Sequence, residues 1–265
     1  MTQFICFGSG SSGNCYYLSH EGHGIVIDLG IGIRHFKKHF RDYGLSLAKI
    51  DAILVTHDHT DHVKAVGVLS NEFHLPVYAS EAVHNGMQRN HFMSKKVKDE
   101  DKRFTEVAKT FEVGPFSITP FDVPHDSSAN SGYFITVGDL QFCLITDAGH
   151  VTDAMKEQLR KANHIVLEAN YDDAMLATGP YPAYLKKRIM SERGHLSNTE
   201  CAETLAECLN PEAKQVWLCH LSEENNHPEL ARKTISTALE QAGIDLEKTQ
   251  LNVLRRTVPS ALHEL

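Results

Sequence analysis

The chain has 265 residues, 42% of them hydrophobic and 23% charged, which is the composition of an ordinary globular protein with a sizeable core. No apolar run reaches the about 20 residues that cross a bilayer, and no secretory leader is visible, so we predict a cytoplasmic protein without membrane contacts. The net charge of −8 argues against a broad basic face for nucleic acid, although bound cations can change the charge of a protein locally. The six cysteines are scattered and form no CxxC pair, which is consistent with free thiols in a reducing compartment.

The first half of the chain alternates apolar β-type runs with helical periodicity. Strands are predicted within 4–19 (two strands around a Gly/Ser turn), 24–30, 49–56 and 76–80, and helices within 32–44 and 63–73. The strand at 24–30 ends in Asp28. Residues 86–105 are polar and mixed in charge, and we expect them to run over the surface.

The second half repeats the same order of elements. Strands are predicted within 109–125, 131–147 (a hairpin around Gly138), 164–168, 215–219 and 249–256, and helices around 152–161, 184–192, 198–209 and 228–243. No linker, low-complexity stretch or repeat of solenoid period divides the chain. We therefore predict an α/β fold with two mixed sheets and outer helices, in a single domain over residues 1–265.

One short segment carries the strongest chemical signal. Residues 55–62 read VTHDHTDH, which places three histidines and two aspartates in six positions directly after an apolar run. His57 and His59 are two apart, so in extended backbone their side chains point the same way, and Asp61 and His62 follow one turn later. A solvated polar loop is the alternative, but this density of histidine and carboxylate favours a site for divalent first-row metals.

Three further candidates each follow an apolar strand, where α/β folds present their chemistry. They are His125, Asp147 and His220. Seven ligands from four separate parts of the sequence could hold two ions, with Asp147 shared between them. Two metals at one site can generate hydroxide from water and bind a phosphate or carbonyl oxygen. His220 could instead be an ordinary histidine at a strand end.

The HDHTDH segment matches the HxHxDH signature of the metallo-β-lactamase superfamily, and the order His125, Asp147, His220 resembles that family's later motifs. The segments FGSGSSGNCYYL, LEANYD, GPYPAYLKKRI and GHLSN are similar to the YycJ/WalJ branch, whose members are regarded as metal-dependent nucleases. The resemblance implies a four-layer αββα sandwich with a dinuclear site. It places one ion on His57, His59 and His125, the other on Asp61, His62 and His220, and Asp147 on both. The metal could be zinc, manganese or iron.

A second similarity concerns proton transfer. The phosphodiesterase branch that includes tRNase Z pairs a glutamate with a later histidine, and by similarity Glu168 would orient His195, which would protonate the leaving oxygen. Ser197 and Glu200 also form a possible capping box, so His195 could simply lie at a helix entry. Only 47 residues separate Asp147 from His195, which leaves no room for the large clamp domain of RNase J-like nucleases.

The favoured function is a dinuclear metal-dependent phosphodiesterase acting on DNA or RNA, preferably as an exonuclease, with hydroxide on the metal as nucleophile. Two alternatives remain open at this point. The same metals could hydrolyse a small ester, thioester, lactone or lactam, or they could stabilise a regulatory protein without catalysis. The Gly/Ser turn at 8–14 lacks the GK[ST] of a phosphate-binding Walker loop, and we expect it to support the site structurally. The alternative is a loop at the mouth of the site, with its Ser hydroxyls or Asn14 near the substrate or a metal-bound water.

Overall fold

The computed structural model describes all 265 residues and contains fourteen strands, nine α-helices and two short 3-10 helices. The strands are β1 (Thr2–Gly8), β2 (Cys15–His20), β3 (His23–Ile27), β4 (Ile50–Leu54), β5 (Val77–Ala79), β6 (Lys102–Phe104), β7 (Phe111–Val113), β8 (Phe116–Asp122), β9 (Ser131–Val137), β10 (Leu140–Ile145), β11 (His164–Glu168), β12 (Gln215–Cys219), β13 (Gln250–Val253) and β14 (His263–Glu264). The helices are α1 (Ile33–Asp42), α2 (Thr60–Val63), α3 (Val66–Phe73), α4 (Glu81–Arg89), α5 (Asp153–Lys161), α6 (Asp173–Thr178), α7 (Ala183–Ile189), α8 (Asn198–Cys208) and α9 (Pro228–Gln241). None of the helices combines the length and apolar character needed to span a bilayer.

The chain forms two compact units. Unit 1 contains residues 1–120, 127–131 and 255–265, and unit 2 contains residues 121–126 and 132–254. The prediction of a single domain over the whole chain stays a prediction.

Each of the two sheets has seven strands and is mixed. The first has the order β14-β1-β2-β3-β4-β5-β6, antiparallel from β14 to β3 and parallel from β3 to β6. The second has the order β13-β12-β11-β10-β9-β8-β7, with β10 to β13 parallel and the β9–β10 and β7–β8 pairs antiparallel. The predicted fold class, α/β with two mixed sheets and helices, is confirmed.

The core of unit 1 forms where α1, α3 and α4 bury their apolar residues against the sheet. Phe36 and Phe40 lie one helical turn apart on α1 and are almost completely buried, together with Leu69 of α3 and Met87 of α4. Burial of each such side chain contributes about 1.5–3 kcal/mol. The predicted helical spacing at 32–44 is confirmed.

Unit 2 has its own core on α5, α8 and α9. Leu159, Leu205, Ile235 and Leu239 are fully buried among the strand residues of the second sheet. Helix α8 begins with the predicted capping box: the Ser197 hydroxyl accepts from the backbone N–H of Glu200, and the Glu200 carboxylate accepts from the N–H of Ser197. These contacts satisfy two amide donors that the helix start would otherwise leave unpaired.

The expectation that residues 86–105 run over the surface is wrong in part. Helix α4 extends to Arg89, β6 occupies 102–104, and Met93 and Val97 are buried in the core of unit 1. The Lys96 ammonium donates to the carbonyls of Met87 and Asn90, which fixes the intervening turn. Three buried apolar side chains, Met87, Met93 and Val97, hold a segment that is otherwise mostly polar or charged.

Candidate functional site

The first group of predicted ligands lies at one edge of the first sheet. We call His57, His59, Asp61 and His62 the first cluster; they follow β4 and lead into α2. Strands β3 and β4 are parallel and pair Ile27 with Leu54, so the segments that leave them start at the same edge. Asp28 and Thr56 therefore lie beside each other at the base of the cluster, where Asp28 accepts from both the N–H (2.8 Å) and the hydroxyl (2.7 Å) of Thr56.

Asp28 and Thr56 determine which ring nitrogen of His57 and His62 carries the proton. A carboxylate only accepts hydrogen bonds, so His62 Nδ1, 2.7 Å from Asp28 Oδ2, must be the donor. The Thr56 hydroxyl gives its only hydrogen to Asp28, so at 3.0 Å it accepts from His57 Nδ1. Both rings are thereby held with Nε2 as the electron-pair donor, the form that binds a metal.

The Gly/Ser turn at 8–14 supports the cluster from the other side. The side-chain nitrogen of Asn14, Nδ2, lies 2.8 Å from His62 Nε2. The side-chain oxygen of Asn14, Oδ1, accepts from the Gly10 N–H. The backbone N–H of Asn14 donates a hydrogen bond to the Asp61 carbonyl, and the backbone carbonyl of Asn14 accepts one from the Gly30 N–H. Gly30 has to be glycine, because a Cβ there would lie 1.6 Å from the Asp61 carbonyl oxygen. The turn is thus structural, as expected, and it also touches the metal-ligand candidates.

The remaining residues of the segment divide into two roles. His59 packs against His57 with ring centroids 4.7 Å apart, and Asp61 Oδ2 lies 3.6 Å from His62 Nε2. The Asp58 carboxylate instead accepts from the N–H (3.0 Å) and hydroxyl (2.8 Å) of Ser128. Asp58 therefore anchors the loop and is not among the candidate ligands.

The second cluster, in unit 2, consists of His125, Asp147, Glu168, His195 and His220. Strands β10, β11 and β12 are parallel neighbours, so Asp147, Glu168 and His220 lie at their shared carboxyl edge. Asp147 and His220 adopt positive φ angles of 57° and 54°, as Asp28 does in unit 1 at 58°. Non-glycine residues seldom take this conformation, and it is tolerated mainly where surrounding structure enforces it, often at functional sites.

Glu168 is completely buried and is the hub of the second cluster. Its Oε1 accepts from His195 Nδ1 at 2.8 Å and from His220 Nδ1 at 3.2 Å. Its Oε2 accepts from the N–H groups of Ala148 (2.7 Å) and Leu196 (3.2 Å). Burial acts to raise the pKa of Glu168, but the charge of His195 and the hydrogen bonds from both histidines outweigh it, so the pKa is lowered.

The loop before α8 fixes the last two histidines. His125 Nδ1 donates to the Gly194 carbonyl at 3.0 Å, and Arg193 Nε donates to the His125 carbonyl at 2.9 Å. A Cβ on Gly194 would lie 2.0 Å from the Ile189 carbonyl oxygen, so only glycine allows this close approach. His195 follows directly, and about a fifth of its side chain is exposed.

Asp147 lies among three imidazoles of the second cluster. Its Oδ1 is 3.7 Å from His125 Nε2, 3.5 Å from His220 Nε2 and 3.7 Å from His195 Nδ1. Ligand atoms of Asp147, Glu168, His195 and His220 lie within 4.8 Å of one another, close enough to surround one ion. His125 and His220 are also held with Nε2 as electron-pair donor, because their Nδ1 atoms donate to Gly194 and Glu168. The donor set of both clusters thus suits divalent first-row metals.

The structure gathers the predicted site residues into these two clusters, and it adds residues that the sequence had not singled out. Asp28 and Thr56 orient the first cluster, and Asn170 donates to the His220 carbonyl at 2.7 Å and lies 3.1 Å from His220 Nδ1. Asp28 could have been suspected, since it ends a strand in the same way as Asp147. Thr56 and Asn170 carry no such signal.

Known proteins with similar sequences cover most of the chain. A family model described as "Beta-lactamase superfamily domain" matches residues 23–221. "Exodeoxyribonuclease YycJ" of Bacillus anthracis is 35% identical over 240 residues, which cover 91% of this chain and 90% of the relative. "Exodeoxyribonuclease WalJ" of Streptococcus pneumoniae serotype 2 (strain D39 / NCTC 7466) is 36% identical over 242 residues, with the same two coverages.

Solved structures are similar in fold. The metallo-beta-lactamase fold protein YhfI from Bacillus subtilis matches with a TM-score of 0.72 at 18% identity, covering 98% of this chain and 99% of its own. The short form of human tRNase Z matches with a TM-score of 0.66 at 15% identity, covering both chains completely. At these identities the likeness concerns the fold alone.

Proposed function

The chain belongs to the metallo-β-lactamase superfamily and is a metal-dependent hydrolase, and on that premise we propose that it is an exonuclease that hydrolyses phosphodiester bonds of DNA. The names of the two relatives described above support the substrate class, and the exonuclease assignment follows the same resemblance. A cytoplasmic location is part of the proposal; all six cysteines are buried and form no disulfide, which suits a reducing compartment.

Seven side chains would hold two divalent ions. The ligand sets follow the family resemblance: His57, His59 and His125 for one ion, Asp61, His62 and His220 for the other, and Asp147 for both. Four of the five histidines among them have Nδ1 engaged as a donor, so their Nε2 atoms are prepared for a metal without a change of tautomer. When bound, two such ions lower the pKa of water and draw negative charge from a phosphate.

The hydrogen bond between buried Glu168 and partly exposed His195 is the observation that carries the choice of a phosphodiester. Glu168 holds His195 Nδ1 as a donor, so a proton on Nε2 makes the ring cationic, and the adjacent carboxylate stabilises that cation. The partly exposed ring can then give its Nε2 proton to the alkoxide that leaves when the P–O bond breaks. General-acid catalysis of this kind contributes about 10²–10⁴-fold, and a nucleoside alkoxide needs it because it is a poor leaving group.

The test compares two phosphodiesters that differ in leaving group. End-labelled DNA and RNA oligonucleotides are incubated with the protein and Mn²⁺ or Zn²⁺, and bis(p-nitrophenyl) phosphate is assayed in parallel. We expect stepwise shortening of DNA from one end. His195→Ala should lower turnover of DNA by about 10²-fold or more, but of the nitrophenyl ester by less than about tenfold, because nitrophenolate leaves without a proton.

His150→Ala is the matched control. His150 lies in the same unit, and its Nδ1 donates to the Glu192 carbonyl at 2.8 Å instead of to a carboxylate. Equal losses on both substrates in His195→Ala would contradict the proton-donor role. Rapid cleavage of a thioester or lactam with no cleavage of any phosphodiester would contradict the nuclease assignment. A protein that binds two ions and hydrolyses none of these substrates would contradict the assignment as an enzyme.

A further inference from the structure

A surface cavity of about 370 Å³ opens in unit 1 beside the first cluster. His59, a candidate metal ligand, forms part of its wall. The other wall residues have no role as metal ligands or in proton transfer. The other walls come from the end of α4 and the segment that follows it, including Arg89, Asn90 and Phe92.

Two of these residues have the character of a binding surface for a nucleotide. Phe92 is 75% exposed, the second most exposed of the large apolar side chains. An exposed ring gains little from its position unless something stacks on it. Arg89 is exposed in the last turn of α4 and forms no salt bridge, so its guanidinium is available for a phosphate.

The cavity is built before any ligand arrives, because Asn90 links its walls. The Asn90 amide donates to the Asp58 carbonyl at 2.9 Å and to the Thr60 hydroxyl at 3.3 Å, and its carbonyl accepts from Phe92 N–H at 3.0 Å. One side chain thus holds the aromatic residue at a set position relative to the loop that carries His59. Preorganisation of this kind lowers the entropy lost on binding.

The wall of the cavity contains one arginine, Arg89, that can pair with a phosphate. Asp58 is the one carboxylate in the wall, and both of its oxygens are occupied by Ser128. The imidazoles of His59 and His91, the hydroxyls of Thr60 and Ser128 and the amide of Asn90 provide the remaining polar character.

We propose that this cavity binds the nucleotide next to the scissile phosphodiester, with its base stacked on Phe92 and a phosphate on Arg89. The inference rests on the proposed nuclease function and identifies how a chain of net charge −8 would hold its substrate. Stacking on an aromatic side chain tolerates any base, which is what degradation of DNA without sequence preference requires.

The experiment combines three protein variants and two control variants with a change in the DNA. Phe92→Ala, Phe92→Tyr and Arg89→Ala are assayed on a single-stranded oligonucleotide and on methyl p-nitrophenyl phosphate, which has no nucleoside. Phe104→Ala and Arg41→Ala are the controls: Phe104 is 64% exposed in the same unit and does not line the cavity, and Arg41 is exposed in the last turn of α1.

We expect Phe92→Ala and Arg89→Ala each to raise KM for the oligonucleotide about five- to tenfold, with kcat for the small ester unchanged. Phe92→Tyr should restore the wild-type KM, and both controls should behave like the wild type. Oligonucleotides with one abasic residue, placed in turn at each of the three terminal positions, add a second readout. At one position the missing base should raise KM for the wild type and have no further effect in Phe92→Ala, a coupling that a purely structural role would not produce.

Each remaining outcome contradicts a stated part of the account. If the wild type degrades DNA while Phe92→Ala and Arg89→Ala match their controls, the cavity does not bind the nucleotide and the nuclease function stands. If the wild type cleaves the methyl ester but no nucleic acid, or no phosphodiester at all, the proposed function fails and the nucleotide site fails with it.

Discussion

The two clusters use different structural means to the same end. The four residues of the first cluster lie within six consecutive positions, and a turn plus a short helix bring them together. The five residues of the second cluster come from five separate segments, and the register of three parallel strands brings three of them to one edge. The first cluster contains only candidate metal ligands. The second combines ligands with a proton donor through one buried carboxylate, Glu168.

The largest expected effect is on the rate of DNA hydrolysis, and it distinguishes the aspartates that bind metal from Asp58, which anchors a loop. Asp61→Asn and Asp147→Asn should each lower DNA hydrolysis by about 10³-fold or more, because a carboxylate that neutralises the metal is lost. Asp58→Asn, three residues from Asp61, should stay within about threefold of the wild type, since its carboxylate only holds Ser128. Initial rates on labelled DNA measure all three. A loss in Asp58→Asn as large as in Asp61→Asn would contradict the division of roles.

A second prediction distinguishes the buried carboxylates that orient the two clusters. Asp28→Asn should weaken metal binding about 10–100-fold, because an amide keeps only one oxygen and cannot accept from both the Thr56 N–H and His62 Nδ1, while kcat at saturating metal stays close to that of the wild type. Glu168→Gln should lower kcat about 10²-fold even at saturating metal, because it also positions the proton donor. Activity titrated against free Mn²⁺ separates the two effects. Full rescue of Glu168→Gln by metal would show that the clusters do not differ in this way.

A third prediction concerns the glycines that allow backbone contact in each cluster. A Cβ on Gly30 would overlap the Asp61 carbonyl, and one on Gly194 would overlap the Ile189 carbonyl. We expect each change to alanine to lower the free energy of unfolding by about 2–4 kcal/mol. Gly138→Ala, at a positive φ with no atom within 4 Å, should cost about 1 kcal/mol. Urea denaturation of the metal-free variants measures this, and equal effects at all three positions would refute the overlap argument.

The smallest effect involves a buried histidine of unit 2 outside the cluster. Burial lowers the pKa of His164 to about 4, with a smaller contribution from the charge of Lys214. Its ordinary value is about 6.5, so the unfolded chain binds a proton between pH 6.5 and 4 that the folded chain does not. The stability that neutral His164 contributes is therefore complete above pH 6.5 and is lost as pH falls toward 4.

The comparison with His164→Gln isolates this contribution. Between pH 6.5 and 4 the wild type should lose about 1–2 kcal/mol more than His164→Gln, measured by urea denaturation without metal. Parallel stability curves for the two proteins over this range would contradict the assignment to His164.

The contrast between the clusters also explains what could be predicted from the sequence. The first cluster is visible as one dense segment, and strand ends identified His125, Asp147 and His220. The pair Glu168 and His195 came from resemblance alone. Asp28 and Thr56 were not predicted, because their role depends on β3 and β4 being neighbours, and pairing between strands is not encoded locally.

Two other features needed the folded chain. Met93 and Val97 are buried within a charged stretch that has no amphipathic periodicity, so residues 86–105 were assigned to the surface. The Gly194 carbonyl accepts from His125, which lies 69 positions away, and a backbone acceptor has no signature in the side-chain sequence. Both the burial of these two side chains and this hydrogen bond depend on tertiary packing.

Metal content per chain is the most direct test of the central claim that the two clusters bind two ions. The protein is reconstituted with Zn²⁺ or Mn²⁺, dialysed and analysed by inductively coupled plasma mass spectrometry. We predict two ions per chain for the wild type, and at most one after either His62→Ala in the first cluster or His220→Ala in the second. No stoichiometric metal in the wild type, or two ions retained in both variants, would contradict the claim.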